Sequence, residues 1–341
     1  MDIETPNVEN DETVDQMLAV LRAAHLADQP DNPIPCGVAY RAQMHQRPPA
    51  AKIERRVIRR DGRVVAVLSV FMPTVENTGF CEAEVEVHPD FRRRGFGTAL
   101  LREAERIGRA DGRRSLAAGS IGRWEDGPQR SEAGRRFLDA MGYDLVLTEV
   151  LRSADLDALE PAVEKDLLAR ARAASADYET IAWTVRTPEE YLEAIAAFNS
   201  TFLDEAPIGD LDLEAERIDA DRKRKADDLA VERGVFMCGV FARPRGSDEI
   251  VATTVIGVNT EPGDVAEQWI TLVAPGHRGH RLGMRVKLEN HEQLRAARPA
   301  VRSVHTGNAD VNAAMISINE QLKFAPVDAW YAYQTDIRKT S

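Results

Sequence analysis

The pattern of hydrophobic and polar residues passes through one order of elements and then begins that order again. In the first half, helical spacing over Glu12 to Ala27 precedes two alternating segments, Ile53 to Ile58 and Val64 to Phe71, joined by a turn at Asp61-Gly62. These two segments predict a β-hairpin. A third strand is predicted from Ala83 to Val87, and a helix follows the glycines after it.

The second half repeats this order after a polar loop at Asp204 to Asp212 and a charged helix predicted at Glu214 to Glu232. Three strands follow, at Val235 to Ala242, Val251 to Val258 and Trp269 to Val273, and another glycine-containing stretch then opens a helix. Shorter strands are predicted at Leu116 to Ala118, Tyr143 to Leu151 and Glu179 to Val185, and shorter helices at Glu132 to Met141 and Pro188 to Phe198. The pattern therefore predicts a duplicated unit of strands and helices.

The two copies can be aligned at their glycine-containing loops. Arg92 to Gly97 matches Arg278 to Gly283 at a constant offset of 186 residues. A period this long indicates duplicated domains, because solenoid repeats span only about 20 to 50 residues. Since 341 residues exceed the usual size of one hydrophobic core, we predict an N-terminal domain over residues 1–155, a helical connector over 156–176 and a C-terminal domain over 177–341.

Composition excludes several classes of function. Asp and Glu outnumber Lys and Arg by 56 to 44, and the formal charge of −12 argues against a nucleic-acid partner, which usually requires a net basic face. The three cysteines, Cys36, Cys81 and Cys238, are far apart and give neither a disulfide framework nor a metal-ligand spacing. The acidic first residues and the lack of a long apolar run predict a cytoplasmic protein without a membrane segment, and we expect a monomer or homodimer.

Both loops have the composition of a phosphate-binding site. Each follows a strand, contains glycine and arginine, and opens a helix whose first backbone N–H groups have no partner within the helix. Gly95 and Gly97 allow a ligand to approach the backbone closely, and Arg92, Arg93 and Arg94 attract anions. Neither loop contains the Gly-Lys-Ser/Thr of a P-loop or the Gly-x-Gly-x-x-Gly of a dinucleotide site. The ligand group that this arrangement predicts is a pyrophosphate.

Strands, loop and helix together resemble the GNAT superfamily of N-acetyltransferases, whose signature is Arg/Gln-x-x-Gly-x-Gly/Ala. Arg92, Gly95 and Gly97 meet it fully, whereas the second loop matches at Arg278 and Gly283 and has an arginine, residue 281, in place of the first glycine. The chain as a whole is similar to two-domain acetyltransferases typified by mycothiol synthase. The resemblance implies an α/β fold with two tandem domains, each a mostly antiparallel sheet flanked by helices with a central parallel pair of strands.

The resemblance also implies that acetyl-CoA is the acyl donor, with its pyrophosphate on the loop and its pantetheine arm along the preceding strand. The residues that it assigns to acetyl-CoA are Val85, Glu86, Val87, Arg92, Arg93, Arg94, Gly95, Phe96, Gly97 and Thr98 in the first half, and Thr271, Leu272, Val273, Arg278, Gly279, His280, Arg281, Leu282, Gly283 and Met284 in the second. Asn312, at the start of the penultimate helix, is assigned to the arm. Helix capping is the alternative interpretation, and it is at least as good for Asn308 and Asp310.

A general base is the next group that acetyl transfer requires. In related histone acetyltransferases a Glu stands eleven residues before the signature, and that position is Glu267 in the second half and Cys81 in the first. Glu82 and Glu84 should point away from Cys81, because side chains alternate along a strand. The first domain is therefore expected to lack the base. Glu267 is the catalytic candidate, with a solvated residue at a strand edge as the alternative.

The tyrosine that many family members use as a general acid is missing at its expected place. Leu138 occupies that position in the first half and Asn319 in the second. Tyr331 or Tyr333 is an alternative proton donor, and unassisted departure of the thiolate into water is another. Efficient catalysis is thus less firmly predicted than CoA binding.

Two functions are compatible with these residues. In the first, the second domain transfers acetyl to the primary amine of a small molecule, with Glu267 as base and without a metal, since His277 and His280 lack partners at metal-ligand spacing. In the second, both halves bind acyl-CoA as a sensor or structural ligand without turnover. Acceptor specificity is expected to come from Glu12 to Arg47 and Pro188 to Glu232.

Overall fold

The chain folds into two compact units in a computed structural model, which describes residues 2–125, 127–201 and 207–338. The N-terminal unit comprises the described residues of Met1–Val150, Ile208–Glu214 and Asp328–Ser341, and the C-terminal unit those of Leu151–Pro207 and Ala215–Val327. These units differ from the predicted continuous domains 1–155 and 177–341, because short segments from late in the chain pack into the N-terminal unit. The predicted loop at Asp204 to Asp212 lies partly outside the described residues.

Eleven described elements precede the connector region: β1 Ile3–Glu4, α1 Asp11–Asp28, α2 Gly37–His45, β2 Ala51–Arg60, β3 Arg63–Pro73, β4 Phe80–Val87, a 3-10 turn Pro89–Phe91, α3 Phe96–Ala110, β5 Ser115–Gly122, α4 Ala133–Ala140 and β6 Asp144–Asp155. The elements that follow are α5 Pro161–Ala174, β7 Tyr178–Thr184, a 3-10 turn Glu189–Tyr191, α6 Leu192–Asn199, α7 Ala220–Glu232, β8 Phe236–Pro244, β9 Ala252–Val258, β10 Val265–Val273, a 3-10 turn Pro275–His277, α8 Leu282–Ala297, β11 Ser303–Ala309, α9 Ala313–Gln321 and β12 Ala325–Asp336. None of the described helices is long and apolar enough to cross a membrane.

Each unit contains a mixed sheet with a single parallel pair near its centre. The strand order is β1-β2-β3-β4-β5-β12 in the N-terminal unit and β7-β8-β9-β10-β11-β6 in the C-terminal unit. The parallel pairs are β4 with β5 and β10 with β11. The antiparallel pairs are β1 with β2, β2 with β3, β3 with β4, β5 with β12, β7 with β8, β8 with β9 and β9 with β10. The predicted fold class, with a central parallel pair in each of two α/β units, is therefore confirmed.

The sixth strand of each unit comes from the other half of the sequence. β12, at the end of the chain, pairs antiparallel with β5 from Ala329 opposite Gly122 to Asp336 opposite Ser115. The residues of β6 from Leu151 onward belong instead to the C-terminal unit, where β6 neighbours β11. An exchange of strands therefore joins the two copies, and periodicity along the sequence gives no sign of it.

The helices of each unit cover both faces of its sheet. In the N-terminal unit, α3 and α4 pack on one face through a core that includes Leu68, Cys81, Leu100, Leu101, Leu116, Leu138, Tyr331 and Tyr333. α1 and α2 cover the other face through Val14, Met17, Val20, Met44, Val57 and Val67. In the C-terminal unit, α5 and α8 cover one face, and α6 and α7 pack against a separate core that includes Ile195, Phe198, Met237 and Phe241.

Two predicted elements differ from the structure. The helix α2 was not predicted, because its segment contains few residues at helical apolar spacing. The helix predicted at Glu214 to Glu232 begins only at Ala220, since the side chain of Asp219 accepts a hydrogen bond from the backbone N–H of Arg222 and caps the helix there.

A buried lysine distinguishes the core of the C-terminal unit. The side chain of Lys287 on α8 is 0% exposed, and its Nζ donates a 2.9 Å hydrogen bond to Oδ1 of Asn319 on α9. The equivalent positions in the N-terminal unit are the apolar Leu101 and Leu138. Burial lowers the pKa of Lys287 from 10.5 to about 7, because the ammonium loses its hydration.

We expect this lysine to make stability depend on pH. Between pH 7 and 10.5 the unfolded chain holds the Lys287 proton more tightly than the folded chain, so the free energy of unfolding should rise with pH. Urea unfolding of the wild type and Lys287→Met should show the wild type gaining about 1 to 2 kcal/mol on the variant from pH 7.5 to 9. A pH-independent difference between the two proteins would contradict the lowered pKa.

Candidate functional site

The parallel strands of the N-terminal unit separate where the predicted ligand segment begins. Their pairing runs from Phe80 with Ser115 to Ala83 with Ala118 and ends there. The segment Val85 to Val87 continues beyond it and stays paired with β3 on its other edge. Its free edge is therefore available to the amide groups of an extended ligand.

The C-terminal unit has the same separation. Its parallel pairing runs from Val265 with Ser303 to Gln268 with Thr306. The predicted segment Thr271 to Val273 lies beyond the paired residues and keeps its antiparallel partners on β9. The structure thus places both predicted strand segments at equivalent openings.

The two loops follow one backbone path with different residues. Each contains two residues in the left-handed conformation: Arg93 (φ 62°) and Gly95 (φ 83°) in the first loop, and Gly279 (φ 86°) and Arg281 (φ 56°) in the second. Glycine and arginine have exchanged places between the copies. Because the left-handed region favours glycine, each loop holds one strained arginine, and the glycine missing from the second signature has moved two residues earlier.

Arg92 is held by the protein itself. Its guanidinium makes two 2.7 Å hydrogen bonds to the carboxylate of Asp28 at the end of α1, and its Nε donates to the carbonyl oxygen of Val87 at 3.2 Å. Arg278 repeats the strand contact, with Nε 3.4 Å from the carbonyl oxygen of Val273. These arginines tie the loop to the strand end, a different role from the predicted attraction of phosphate.

The other assigned loop residues divide into buried and exposed groups. The side chains of Phe96, Leu282 and Met284 are buried in the core, so only their backbone N–H groups can face an anion. The exposed residues are Arg93, Arg94, Gly95, Thr98, Gly279, His280 and Arg281. Gly97 and Gly283 lie in the first turns of α3 and α8, where a side chain would meet Phe137 and Ile318, respectively.

The two histidines of the second loop pack against Tyr178. Nδ1 of His277 is 2.9 Å from the tyrosine hydroxyl, and the ring of His280 lies 5.4 Å from the tyrosine ring. No group of three His, Cys, Asp or Glu side chains in the described part of the chain is arranged to hold a metal ion.

Asn312 caps a helix in the structure. Its Oδ1 accepts a 3.2 Å hydrogen bond from the backbone N–H of Met315 at the start of α9. Asn308, for which capping was the alternative, is instead buried, and its Oδ1 accepts hydrogen bonds from Arg152 and Asn319. The capping interpretation therefore describes Asn312, whose assignment to the pantetheine arm stays a prediction.

A β-bulge changes which residues of the two copies correspond. Trp269 is an extra residue in β10, because the pairing with β9 skips from Gln268 to Ile270, whereas β4 pairs with β3 without a break from Glu82 to Val87. Glu267 pairs with Gly257 and lies one residue before the end of the parallel pairing. The residue in that position of the N-terminal unit is Glu82.

The expectation that the first domain lacks a glutamate at this position is therefore wrong. Counting at a constant offset led to Cys81, which is fully buried in the core, because the sequence pattern does not reveal the inserted residue. In the sequence, Glu82, Glu84 and Glu86 alternate with small or apolar residues. This alternation could have shown that the three glutamates share one face of β4.

The glutamates of β4 lie on the face that α1 and α2 cover. Burial raises the pKa of Glu82 to about 7, with a smaller contribution from Glu84. Burial also raises the pKa of Glu86 to about 7, and the charge of Asp28 adds to the shift. Such carboxylates exchange protons near neutral pH, as a general base requires. Glu267, by contrast, is exposed.

The alternative proton donors lie in the N-terminal unit, because β12 packs there. Burial raises the pKa of Tyr333, whose hydroxyl contacts Arg135 and Asp139 of α4. The hydroxyl of Tyr331 donates a 3.1 Å hydrogen bond to the carbonyl oxygen of Arg123. Both rings belong to the core on the α3 and α4 face, opposite Glu82.

Comparisons with known proteins agree with this geometry. Residues 18–122 match the acetyltransferase (GNAT) family. No curated protein matches the chain. Among solved structures, a tandem GNAT protein from the clavulanic acid biosynthesis pathway, solved without acetyl-CoA, is similar at 27% identity with a TM-score of 0.82, and the match covers 100% of both chains.

Two more distant structures share the fold. A GCN5-related N-acetyltransferase from Sphaerobacter thermophilus has 15% identity and a TM-score of 0.65, with 100% of this chain and 96% of that chain covered. The N-myristoyltransferase of Saccharomyces cerevisiae with bound myristoyl-CoA has 11% identity and a TM-score of 0.59, covering 98% of this chain and 78% of that chain. Residues 18–122 therefore form a GNAT acetyltransferase domain, and the chain as a whole is similar to a tandem GNAT protein.

Proposed function

We propose that this protein transfers an acetyl group from acetyl-CoA to the primary amine of a small molecule. Members of the GNAT family are acyltransferases. The observation that carries the proposal is that each unit places a glutamate, Glu82 or Glu267, where its parallel strands separate, with a free strand edge and a helix N-terminus beyond it.

In the N-terminal unit, each of these groups has a separate role in the reaction. Acetyl-CoA supplies a thioester whose carbonyl carbon is attacked by the amine. The first N–H groups of α3 bind the pyrophosphate, and the free edge of Val85 to Val87 pairs with the amides of the pantetheine arm. A backbone N–H of the same edge stabilises the developing oxyanion. Glu82 accepts the proton that the amine loses. The carbon–sulfur bond of the thioester then breaks, and the CoA thiolate departs into water, which protonates it.

We favour the N-terminal unit for the chemistry, whereas the sequence alone favoured Glu267. The carboxyl group of Glu82 is partly buried with a pKa of about 7, so it is ionised above neutral pH and basic enough to accept a proton. The N-terminal loop also has glycine at the helix N-cap, where the C-terminal loop has Arg281. Glu267 remains the base of the C-terminal unit in this proposal.

A second candidate function is acyl-CoA binding without turnover. The observation that favours it is the pair of residues at the general-acid position, Leu138 and Asn319, which are both buried and neither of which can protonate a thiolate as a tyrosine does. Acetyl-CoA would then bind both openings as a regulatory or structural ligand.

We expect Glu82→Gln to lower kcat about 100-fold or more, because the amide cannot accept the amine proton. Glu267→Gln is the matched variant in the other unit and should retain most of the activity. Thiol release from acetyl-CoA, measured with a panel of small primary amines, gives kcat, and calorimetry gives CoA affinity, which neither substitution should change.

The same assay separates the competing assignments. A loss of turnover in Glu267→Gln with full activity in Glu82→Gln would move the chemistry to the C-terminal unit. Binding of CoA without release by any amine would favour the second candidate function.

The pH profile should report the pKa of Glu82. With an alkylamine acceptor, log(kcat/KM) should rise by one per pH unit below the pKa of the amine, because only the free amine reacts. Below about pH 7 the slope should be two, because Glu82 must also lose its proton. Any residual activity of Glu82→Gln should keep the first slope and lack the second. An unchanged break in that variant would assign the pKa to another group.

A further inference from the structure

The exchanged strand β12 presents two side chains on the face that carries Glu82. Ala329 and Tyr331 point into the core against α3 and α4. Because side chains alternate along a strand, Asp328 and Trp330 point to the opposite face, which α1 and α2 cover. The last strand of the chain thus reaches the side of the N-terminal unit where an amine must approach its base.

The indole ring of Trp330 lies directly on Gly119 of β5. A Cβ atom added at Gly119 would be 1.9 Å from Cζ2 of the indole, so the ring occupies the space of the missing side chain. Gly119 is the first residue of β5 beyond the parallel pairing, and Ala117, two residues earlier, pairs with Glu82. The ring and the carboxylate therefore share one face at the point where the strands separate. Trp330 is partly exposed, which leaves ring surface for a ligand.

A buried network fixes the start of β12 beside this ring. Asp328 is 0% exposed, pairs with the guanidinium of Arg130, and accepts a 2.6 Å hydrogen bond from Nδ2 of Asn32. Arg130 also contacts Asp31 at 3.1 Å. Asn32 and Asp31 belong to the loop between α1 and α2, in the segment expected to determine acceptor specificity. The strand, the loop and the ring are thus held in one arrangement.

We propose that Trp330 determines acceptor specificity in the N-terminal unit, with its indole ring as the apolar wall on which the carbon chain of the amine packs. The inference rests on the proposed function, and it adds a substrate class, primary amines with an alkyl or aryl group. Asp328 and Asn32 are positioning residues that act through the strand and the loop. The C-terminal unit has a similar pair, in which the ring of Trp269 lies on Gly257 beside Glu267.

The test uses n-alkylamines from ethylamine to hexylamine with the full-length protein and acetyl-CoA. For the wild type, KM should fall up to about fourfold for each methylene that packs on the ring. Trp330→Ala should abolish this dependence on chain length, because the apolar surface on which the methylenes pack is removed. Gly119→Ala displaces the ring without removing it, so it should weaken the dependence too and provides a second variant if Trp330→Ala does not fold.

Trp269→Ala and Gly257→Ala are the matched controls, since they make the same two changes in the C-terminal unit. Retention of the chain-length dependence in both controls and its loss in the Trp330 and Gly119 variants would support the inference. Retention in Trp330→Ala, or loss in the controls instead, would overturn it.

Calorimetric titration of hexylamine into the CoA-bound protein separates this inference from the proposed function. One outcome is that no amine is acetylated, yet hexylamine binds the wild type and binds Trp330→Ala at least tenfold more weakly. The proposed function would then be wrong, and the role of Trp330 in amine binding would be supported. If hexylamine is acetylated and the two proteins have equal KM values for it, the proposed function is supported and the proposed role of Trp330 is wrong.

Discussion

The separation of one parallel strand pair in each unit is the constraint on which the rest of the structure depends. A strand that leaves its neighbour loses backbone hydrogen bonds, and β5 makes hydrogen bonds on its other edge, where β12 pairs with it from Ser115 to Gly122. The opening therefore requires a sixth strand on that side. On the other side, β3 stays paired with β4 as far as Val87. The loop begins there, and Nε of Arg92 donates a hydrogen bond to the carbonyl oxygen of Val87. The free strand edge, the loop after it and the position of the glutamate all follow from the same local break in pairing.

The two copies keep this backbone while their side chains have diverged. Left-handed residues recur at the same two positions of each loop, although glycine and arginine have exchanged places. Glu82 and Glu267 occupy the same position at the end of the parallel pairing, although the bulge in β10 places one more residue between Glu267 and its loop than lies between Glu82 and its loop. The core has changed more, since Lys287 and Asn319 form a hydrogen bond where the first copy has two leucines. Geometry at the opening is thus more strongly preserved than the identity of the residues that produce it.

How much of this the sequence could predict depends on how local each feature is. The duplication and the loops follow from periodicity and from the positions of Gly95 and Gly97, and the central parallel pair is implied by the resemblance to the GNAT superfamily. The equivalence of Glu82 and Glu267 does not, because a single inserted residue reverses the side-chain alternation and a constant offset then selects Cys81. The exchange of β6 and β12 is equally hidden, since pairing between distant parts of the chain, such as Asp336 with Ser115, leaves no periodic signal. The sequence left the capping of α9 by Asn312 open as an alternative to ligand binding, because an Asn near a helix start can serve a ligand or the helix.

The strand exchange also bears on why both copies persist. β12 completes the sheet of the N-terminal unit, and β6 contributes to the sheet of the C-terminal unit, so deleting either half would leave the other with an unpaired inner strand. Either copy can therefore lose its chemistry, but neither can be lost as a folded unit. By the same argument, the end of the chain is free to specialise, because β12 must be present in the N-terminal unit for structural reasons and its partly exposed Trp330 is then available to contact an acceptor.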